Sequence, residues 1–153
     1  MPKPELSLTG RALRYLSHRE HSRQELRKKL LPYAQDDQEL DAVLDKLEKQ
    51  KFLSDARYAQ SIARRKSDRY GSALIVESLR QQGVGQHIIE DIKSNLKDSE
   101  IERLYDLWQK KFGVYPQDAS QRSKQIRYLA SKGFAIGLIN QVVSGRYMPQ
   151  SQD

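Results

Sequence analysis

Phe52-Leu53-Ser54-Asp55-Ala56-Arg57-Tyr58-Ala59-Gln60-Ser61-Ile62-Ala63-Arg64-Arg65-Lys66-Ser67-Asp68-Arg69-Tyr70-Gly71-Ser72-Ala73-Leu74-Ile75-Val76-Glu77-Ser78-Leu79-Arg80-Gln81-Gln82-Gly83-Val84 reads as two amphipathic helices joined at Tyr70-Gly71-Ser72. Tyr58, Ala59, Ile62 and Ala63 make the apolar stripe of the first, and Ile75, Val76 and Leu79 that of the second. Gly83 stands where a helix C-terminus wants a left-handed residue. Along the first helix Arg57, Arg64, Arg65, Lys66 and Arg69 face one acid, Asp68. A helix this basic either presents a solvated face or has a polyanion or an acidic protein for a neighbour.

Working outward, the pattern repeats. A shift of 50 carries Leu79, Gly83, Val84, Ile88, Ile89 and Ile92 onto Leu129, Gly133, Phe134, Leu138, Ile139 and Val142 without a gap. A shift of 49 carries Leu26 and Leu30 onto Ile75 and Leu79. A period of this length holding three helices implies stacked three-helix units, each too small to bury much alone. The expected fold is all-α, with three tandem repeats over 7–51, 52–97 and 98–145 in an elongated, curved arrangement, and flexible tails at 1–6 and 146–153.

Capping signals place the helices. Ser22 with Glu25 and Ser99 with Glu102 read as capping boxes, and Asp36 or Asp37 caps a helix whose Leu40, Val43, Leu44 and Leu47 share one face. Asp36, Asp37, Glu39 and Asp41 crowd that helix's first turn, where its dipole favours carboxylates without any bound cation.

The totals restrict function. An excess of 27 Lys and Arg over 20 Asp and Glu gives a net charge of +7, and the pI near 9.6 favours a nucleic acid or acidic protein as partner over a membrane. No stretch approaches the roughly 18 apolar residues of a membrane span, and no signal-peptide core follows Met1. A soluble, cytoplasmic monomer is expected. Absence of cysteine excludes disulfides, thiolate metal sites and cysteine nucleophiles.

Other chemistry reads weakly. His18-Arg19-Glu20-His21 lacks the i, i+4 histidine spacing and third ligand of a zinc helix. Gly83-Val84-Gly85 lacks the third glycine and preceding strand of a dinucleotide loop, and no Walker motif occurs. His87 has no nucleophile beside it. Trp108 and Phe112 fall on the stripe of a core helix, whereas Tyr70 could stack on a base or close its turn against the core. No catalytic residue, metal or cofactor is expected. The basic residues form one cluster per repeat, Arg11 to Lys29, Arg57 to Arg69 and Lys110 to Lys132, resembling an electrostatic track more than a point site.

A family resemblance sharpens this reading. Phe52-Leu53-x-Asp55-x-Arg57-Tyr58-Ala59, Arg64, Tyr70-Gly71 and Leu79-x-x-x-Gly83-Val84 resemble the central signature of the RecX family, small bacterial regulators of the RecA recombinase. The run from Ala12 through Ser22-Arg23-Gln24-Glu25-Leu26-Arg27-Lys28-Lys29-Leu30 is similar to that family's opening helix pair. Where the family commonly has Gly-Tyr-Gly-Pro, this chain has Arg69-Tyr70-Gly71-Ser72, with Ser72 available as a cap in place of proline.

The resemblance implies a non-enzymatic regulator that binds the RecA–DNA filament and restrains recombinase, ATPase and coprotease activities, with weak, non-specific affinity for single- and double-stranded DNA. Candidate contacts are Arg57, Arg64, Arg65, Lys66, Arg69 and Tyr70 in the middle repeat, Arg23, Arg27 and Lys28 in the first, and Lys110, Lys111 and Arg127 in the third. The alternative is a helix-turn-helix transcription factor, which would need base-reading side chains at the start of the helix following Gly71.

Overall fold

The computed structural model describes residues 5–150, in which there are nine α-helices, one 3₁₀ turn and no strand. They are α1 (Leu8–His18), α2 (Arg23–Leu30), the 3₁₀ turn Leu31–Tyr33, α3 (Asp37–Lys49), α4 (Asp55–Lys66), α5 (Ser72–Gln81), α6 (Gln86–Lys97), α7 (Glu100–Lys111), α8 (Ala119–Ser131) and α9 (Ile136–Val143). Residues 1–4 and 151–153, which belong to the expected tails, lie outside the described part.

Five helices start on a side-chain cap. Oxygens of Ser7, Ser22, Asp36, Ser54 and Asp118 accept from the amides of Gly10, Glu25, Glu39, Arg57 and Gln121 at 2.8–3.1 Å. Each satisfies one of the orphan donors of a first helical turn. Three expected caps differ. Glu25 turns its carboxylate to Arg19 (3.0 and 2.6 Å), so only half of that capping box forms. Ser99 is helical at φ −100°, ψ −2°, and its hydroxyl, 3.3 Å from the Leu96 carbonyl, accepts from Arg103 Nε instead of capping with Glu102. Gly71, not Ser72, occupies the cap position of α5.

The helix pairs in extensive contact all fall within α1–α3, α4–α6 or α7–α9. Each group has its own core: Leu8, Ala12, Leu26, Leu30, Leu40, Leu44 and Leu47 in the first, Tyr58 to Leu96 in the second, and Leu104 to Val143 in the third. Leu53 packs into the first core from the chain entering α4. The repeat is exact in burial. Leu79, Val84, Ile89 and Ile92 are buried, as are Leu129, Phe134, Ile139 and Val142, while Ile88 and Leu138 are both half-buried. Gly83 and Gly133 close α5 and α8 at φ +77° and +92°, the left-handed conformation that glycine adopts without strain. Trp108 lies in the third core, as expected; its Nε1 donates to buried Gln125 Oε1 at 2.8 Å.

Three small cores in series leave much surface exposed. The chain exposes 10185 Å², against about 8,000 Å² for a compact monomer of this mass. The arrangement is therefore extended, and what joins the units is largely polar. Between the first two, the Arg23 amide donates to Asp55 Oδ1 (2.8 Å), Gln24 Nε2 to the Gln81 carbonyl (3.0 Å) and Arg57 Nε to Glu20 Oε1 (2.9 Å). Between the second and third, the Ser72 amide and hydroxyl donate to Glu100 (3.0 and 2.7 Å), and the Gly71 amide donates to the Lys132 carbonyl (2.8 Å).

Gly133 is a contact point of that second junction. A β-carbon there would lie 2.8 Å from Leu74 Cγ and would sit on a left-handed backbone. Gly133→Ala should therefore cost about 1–3 kcal/mol, lowering the melting temperature by roughly 2–4 °C per kcal/mol. Calorimetry giving an unchanged melting temperature would show that the junction does not form as described.

The α1–α2 loop holds a pH-dependent contact. Buried His21 has Nδ1 3.0 Å from the Arg19 carbonyl and Nε2 2.9 Å from Lys29 Nζ. With Lys29 donating, Nε2 is the bare nitrogen and the proton resides on Nδ1. Burial is the largest reason that His21 is held below its usual pKa of 6.5, with the Arg19 and Lys29 charges adding to it. A histidine kept neutral when folded but protonated when unfolded makes stability fall as pH drops through the unfolded value towards the lower folded one. The first unit should lose stability on acidification below about pH 6.5, and His21→Gln should flatten that part of the stability profile. Parallel profiles for the two proteins across this range would refute the assignment.

Candidate functional site

The structure divides the candidate basic residues into two populations. Arg23, Arg27 and Arg57 are engaged internally: Arg23 pairs with Asp45 (2.8 Å) and Glu48 (3.2 Å), Arg27 with Asp37 (3.1 Å) and Asp41 (3.4 Å), and Arg57 with Glu20 (2.9 Å). Arg57 also donates to the Phe52 carbonyl. In place of an outward contact, Arg57 ties the start of α4 to the α1–α2 loop.

The second population has no carboxylate within 4.0 Å among the described residues. It comprises Lys28, Arg64, Arg65, Lys66 and Arg69 before the second junction, and Lys110, Lys111 and Arg127 beyond it. The helix dipole favours cations in a last turn, so Arg64, Arg65 and Lys66 at the end of α4 and Lys110 and Lys111 at the end of α7 are locally stable without acids.

At the second junction these cations meet aromatic rings. Arg69 Cζ lies 5.7 Å and Lys132 Nζ 5.6 Å from the Tyr70 centroid; Lys132 Nζ also lies 5.4 Å and Lys111 Nζ 5.0 Å from that of Tyr128. Arg69, Tyr70, Lys132, Tyr128 and Lys111 thus alternate cation and ring across two units. At these distances an exposed cation–π contact is worth only about 0.5–1 kcal/mol. Both rings are half-buried, Tyr70 against the second core and Tyr128 against the third, where Phe112 meets its edge.

Tyr70 therefore does close its turn against the core, with cations on its ring. Sequence alone identifies Arg69, Tyr70 and Lys111; Tyr128 and Lys132 join them through the second junction, where the Gly71 amide bonds the Lys132 carbonyl.

Arg103 holds this arrangement from behind. Its Nη1 donates to the carbonyls of Ser67 and Tyr70, at 2.5 and 3.0 Å. Burial pulls its pKa down, while Glu100 opposes the shift. Its place in α7 resembles that of Arg57 in α4: each reaches back to the loop between the first two helices of the preceding unit. Sequence reading overlooks Arg103 because its partners are main-chain carbonyls more than thirty residues away.

The start of α5, which a helix-turn-helix reader would present to DNA, is occupied here by the third unit. Gly71 and Ala73 donate to the Lys132 and Gly133 carbonyls, and Ser72 to Glu100.

These roles predict different losses. Arg103→Ala removes three charge-assisted bonds, to the Ser67 and Tyr70 carbonyls and to Ser99 Oγ, and should cost about 1.5–3 kcal/mol, whereas Arg64→Ala should stay within about 0.5 kcal/mol. Equal melting temperatures for the two variants would contradict the division.

Comparison with known proteins agrees with this architecture unit by unit. Models of the RecX first, second and third three-helix domains match residues 10–47, 54–91 and 98–143. The chain is 41% identical over 145 residues to the regulatory protein RecX of Ralstonia pickettii, covering 95% of this chain and 91% of that one. It is 44% identical over 141 residues to that of Leptothrix cholodnii, covering 92% and 90%. The crystal structure of RecX from Lactobacillus salivarius superposes with a TM-score of 0.79 at 25% identity, covering 90% of this chain and 93% of that one. With three matched domains in order and close relatives spanning nearly its whole length, the chain belongs to the RecX family of regulatory proteins.

Proposed function

We propose that the protein is a regulator of RecA that binds the RecA–DNA filament and mainly inhibits strand exchange, ATP hydrolysis and coprotease activity. The observation that carries this reading is the likeness to regulatory proteins named RecX over 95% of the chain. Geometry supports it. An extended row of helical units, with acid-free cations at the ends of α4 and α7, suits a repetitive, negatively charged partner better than a small ligand.

The mechanism is occupancy. By bridging neighbouring protomers, and by setting Arg64, Arg65, Lys66, Lys110 and Lys111 against phosphates or acidic side chains, the chain alters how the filament extends or disassembles. The reading includes no catalytic step. A cytoplasmic monomer is the form proposed, in keeping with the lack, among the described residues, of any helix long and apolar enough to cross a membrane. The transcription-factor alternative loses support because the start of α5 is engaged in the second junction.

The test is a charge reversal. Arg64→Glu with Arg65→Glu should retain full helical circular dichroism, since exposed charges seldom change stability by more than about 0.5 kcal/mol. The same variant should need at least about tenfold more protein, a loss of about 1.4 kcal/mol, to suppress RecA ATP hydrolysis on single-stranded DNA. A folded variant that suppresses at wild-type concentrations would remove the end of α4 from the contact surface. A wild-type protein without effect on RecA would sink the reading itself.

A further inference from the structure

We infer that Arg69, Tyr70, Lys132, Tyr128 and Lys111 form a stacking site for single-stranded DNA that exists only while the second and third units are joined. The inference rests on the regulatory reading above and deepens it by naming the ligand chemistry of one surface.

Three features of the site point to that ligand. First, the rings and cations alternate, as a strand does that offers a base and then a phosphate at each step. Aromatic faces receive bases of any sequence, and adjacent cations follow the backbone. Second, Arg69, Lys111 and Lys132 have no carboxylate within 4.0 Å among the described residues, so phosphates need displace no internal acid. Asp68 is the acid nearest in sequence, and it is exposed without an ion pair among the described residues. Third, the cations sit 5.0–5.7 Å from the ring centroids, towards the outer limit of a cation–π contact. A stacked base is a stronger partner for the outer side of such a half-buried ring than a cation at that distance.

The site discriminates by structure, not sequence. A duplex keeps its bases stacked on one another and offers these rings only phosphate and sugar, whereas a single strand can splay two bases onto Tyr70 and Tyr128. Both rings are anchored: their buried sides pack on two different cores, and Arg103 fixes the Tyr70 carbonyl. Neither ring needs its hydroxyl for stacking, so phenylalanine should serve equally well at both positions.

The experiment is fluorescence anisotropy, without RecA, on labelled fifteen-residue oligothymidylate, on an abasic strand of the same length and charge, and on a duplex. The wild-type chain should bind oligothymidylate several-fold more tightly than either of the others. Tyr70→Ala and Tyr128→Ala should each erase most of that preference, and Tyr70→Phe and Tyr128→Phe should keep it. Lys111→Gln and Lys132→Gln should each reduce the slope of log K against log salt by about 0.7. Should an alanine variant fail to fold, the phenylalanine and lysine variants still decide.

Equal affinity of the wild type for the abasic strand and oligothymidylate would overturn the site. So would alanine variants that fold and retain the preference, phenylalanine variants that lose it, or unchanged salt slopes. RecA ATPase suppression, measured separately, keeps the two readings apart. Suppression without oligothymidylate binding overturns the stacking site alone, and binding without suppression overturns the regulatory reading alone.

Discussion

A helix begins with backbone donors that its own turns cannot satisfy, and at α2 and α5 this constraint joins the units. The first-residue amide of α2, on Arg23, finds its acceptor in Asp55, the first residue of α4; that of α5, on Ser72, finds it in Glu100, the first residue of α7. In both junctions a carboxylate opening the first helix of one unit caps the second helix of the unit before it. The carboxylate also lies where two helix N-termini converge, so both dipoles favour its charge. In the third unit α8 relies on its own Asp118 and on Gln121, whose Oε1 accepts from the Gln117 amide. Burial nevertheless pushes Asp55 above the usual aspartate pKa, the Arg23 amide opposing it. That cost is inherent in using a charge as structural glue.

From this constraint follows the sorting of the basic residues. A junction made of carboxylates and carbonyls needs donors, and arginine's fork suits it better than lysine's single ammonium. Arg57 and Arg103 are accordingly drawn inward to the loops of the preceding units. What remains outside is the acid-free set: Lys28 on α2, the cations at the ends of α4 and α7, Arg69 in the loop after α4, and Arg127 on α8. Counting positive charges over the sequence overstates the surface available to a partner, because part of the charge holds the protein together.

The repeat and its cores were readable without coordinates because they depend on local periodicity. Leu79 and Leu129, Gly83 and Gly133, and Ile89 and Ile139 stand at one spacing and do the same work. The junctions were not readable. Asp55 looks like an ordinary first-turn acid and Arg103 like one more basic residue, since nothing nearby in sequence announces a partner 28 to 37 residues away. Ser72 and Ser99 show the same limit from the other side: each resembles a cap, and each is diverted by a charged group, Glu100 or Arg103. Of the five residues alternating across the second junction, Arg69, Tyr70 and Lys111 stand out by charge and family pattern. Tyr128 and Lys132 gain their place only when α8 meets α5.

Because the rings of Tyr70 and Tyr128 rest on different cores, the distance between them is a property of the junction and not of either unit. Anything that engages both rings binds only the joined arrangement, and mass action then requires it to stabilise the joint in proportion to its own concentration and affinity. The same coupling runs in reverse. Loosening the Gly71 to Lys132 bond, the Ser72 to Glu100 bonds or the Arg103 staple lowers the fraction of molecules in which the surface exists, and apparent affinity falls with that fraction. A junction held by hydrogen bonds such as these is well suited to such coupling, since they are directional and fix register.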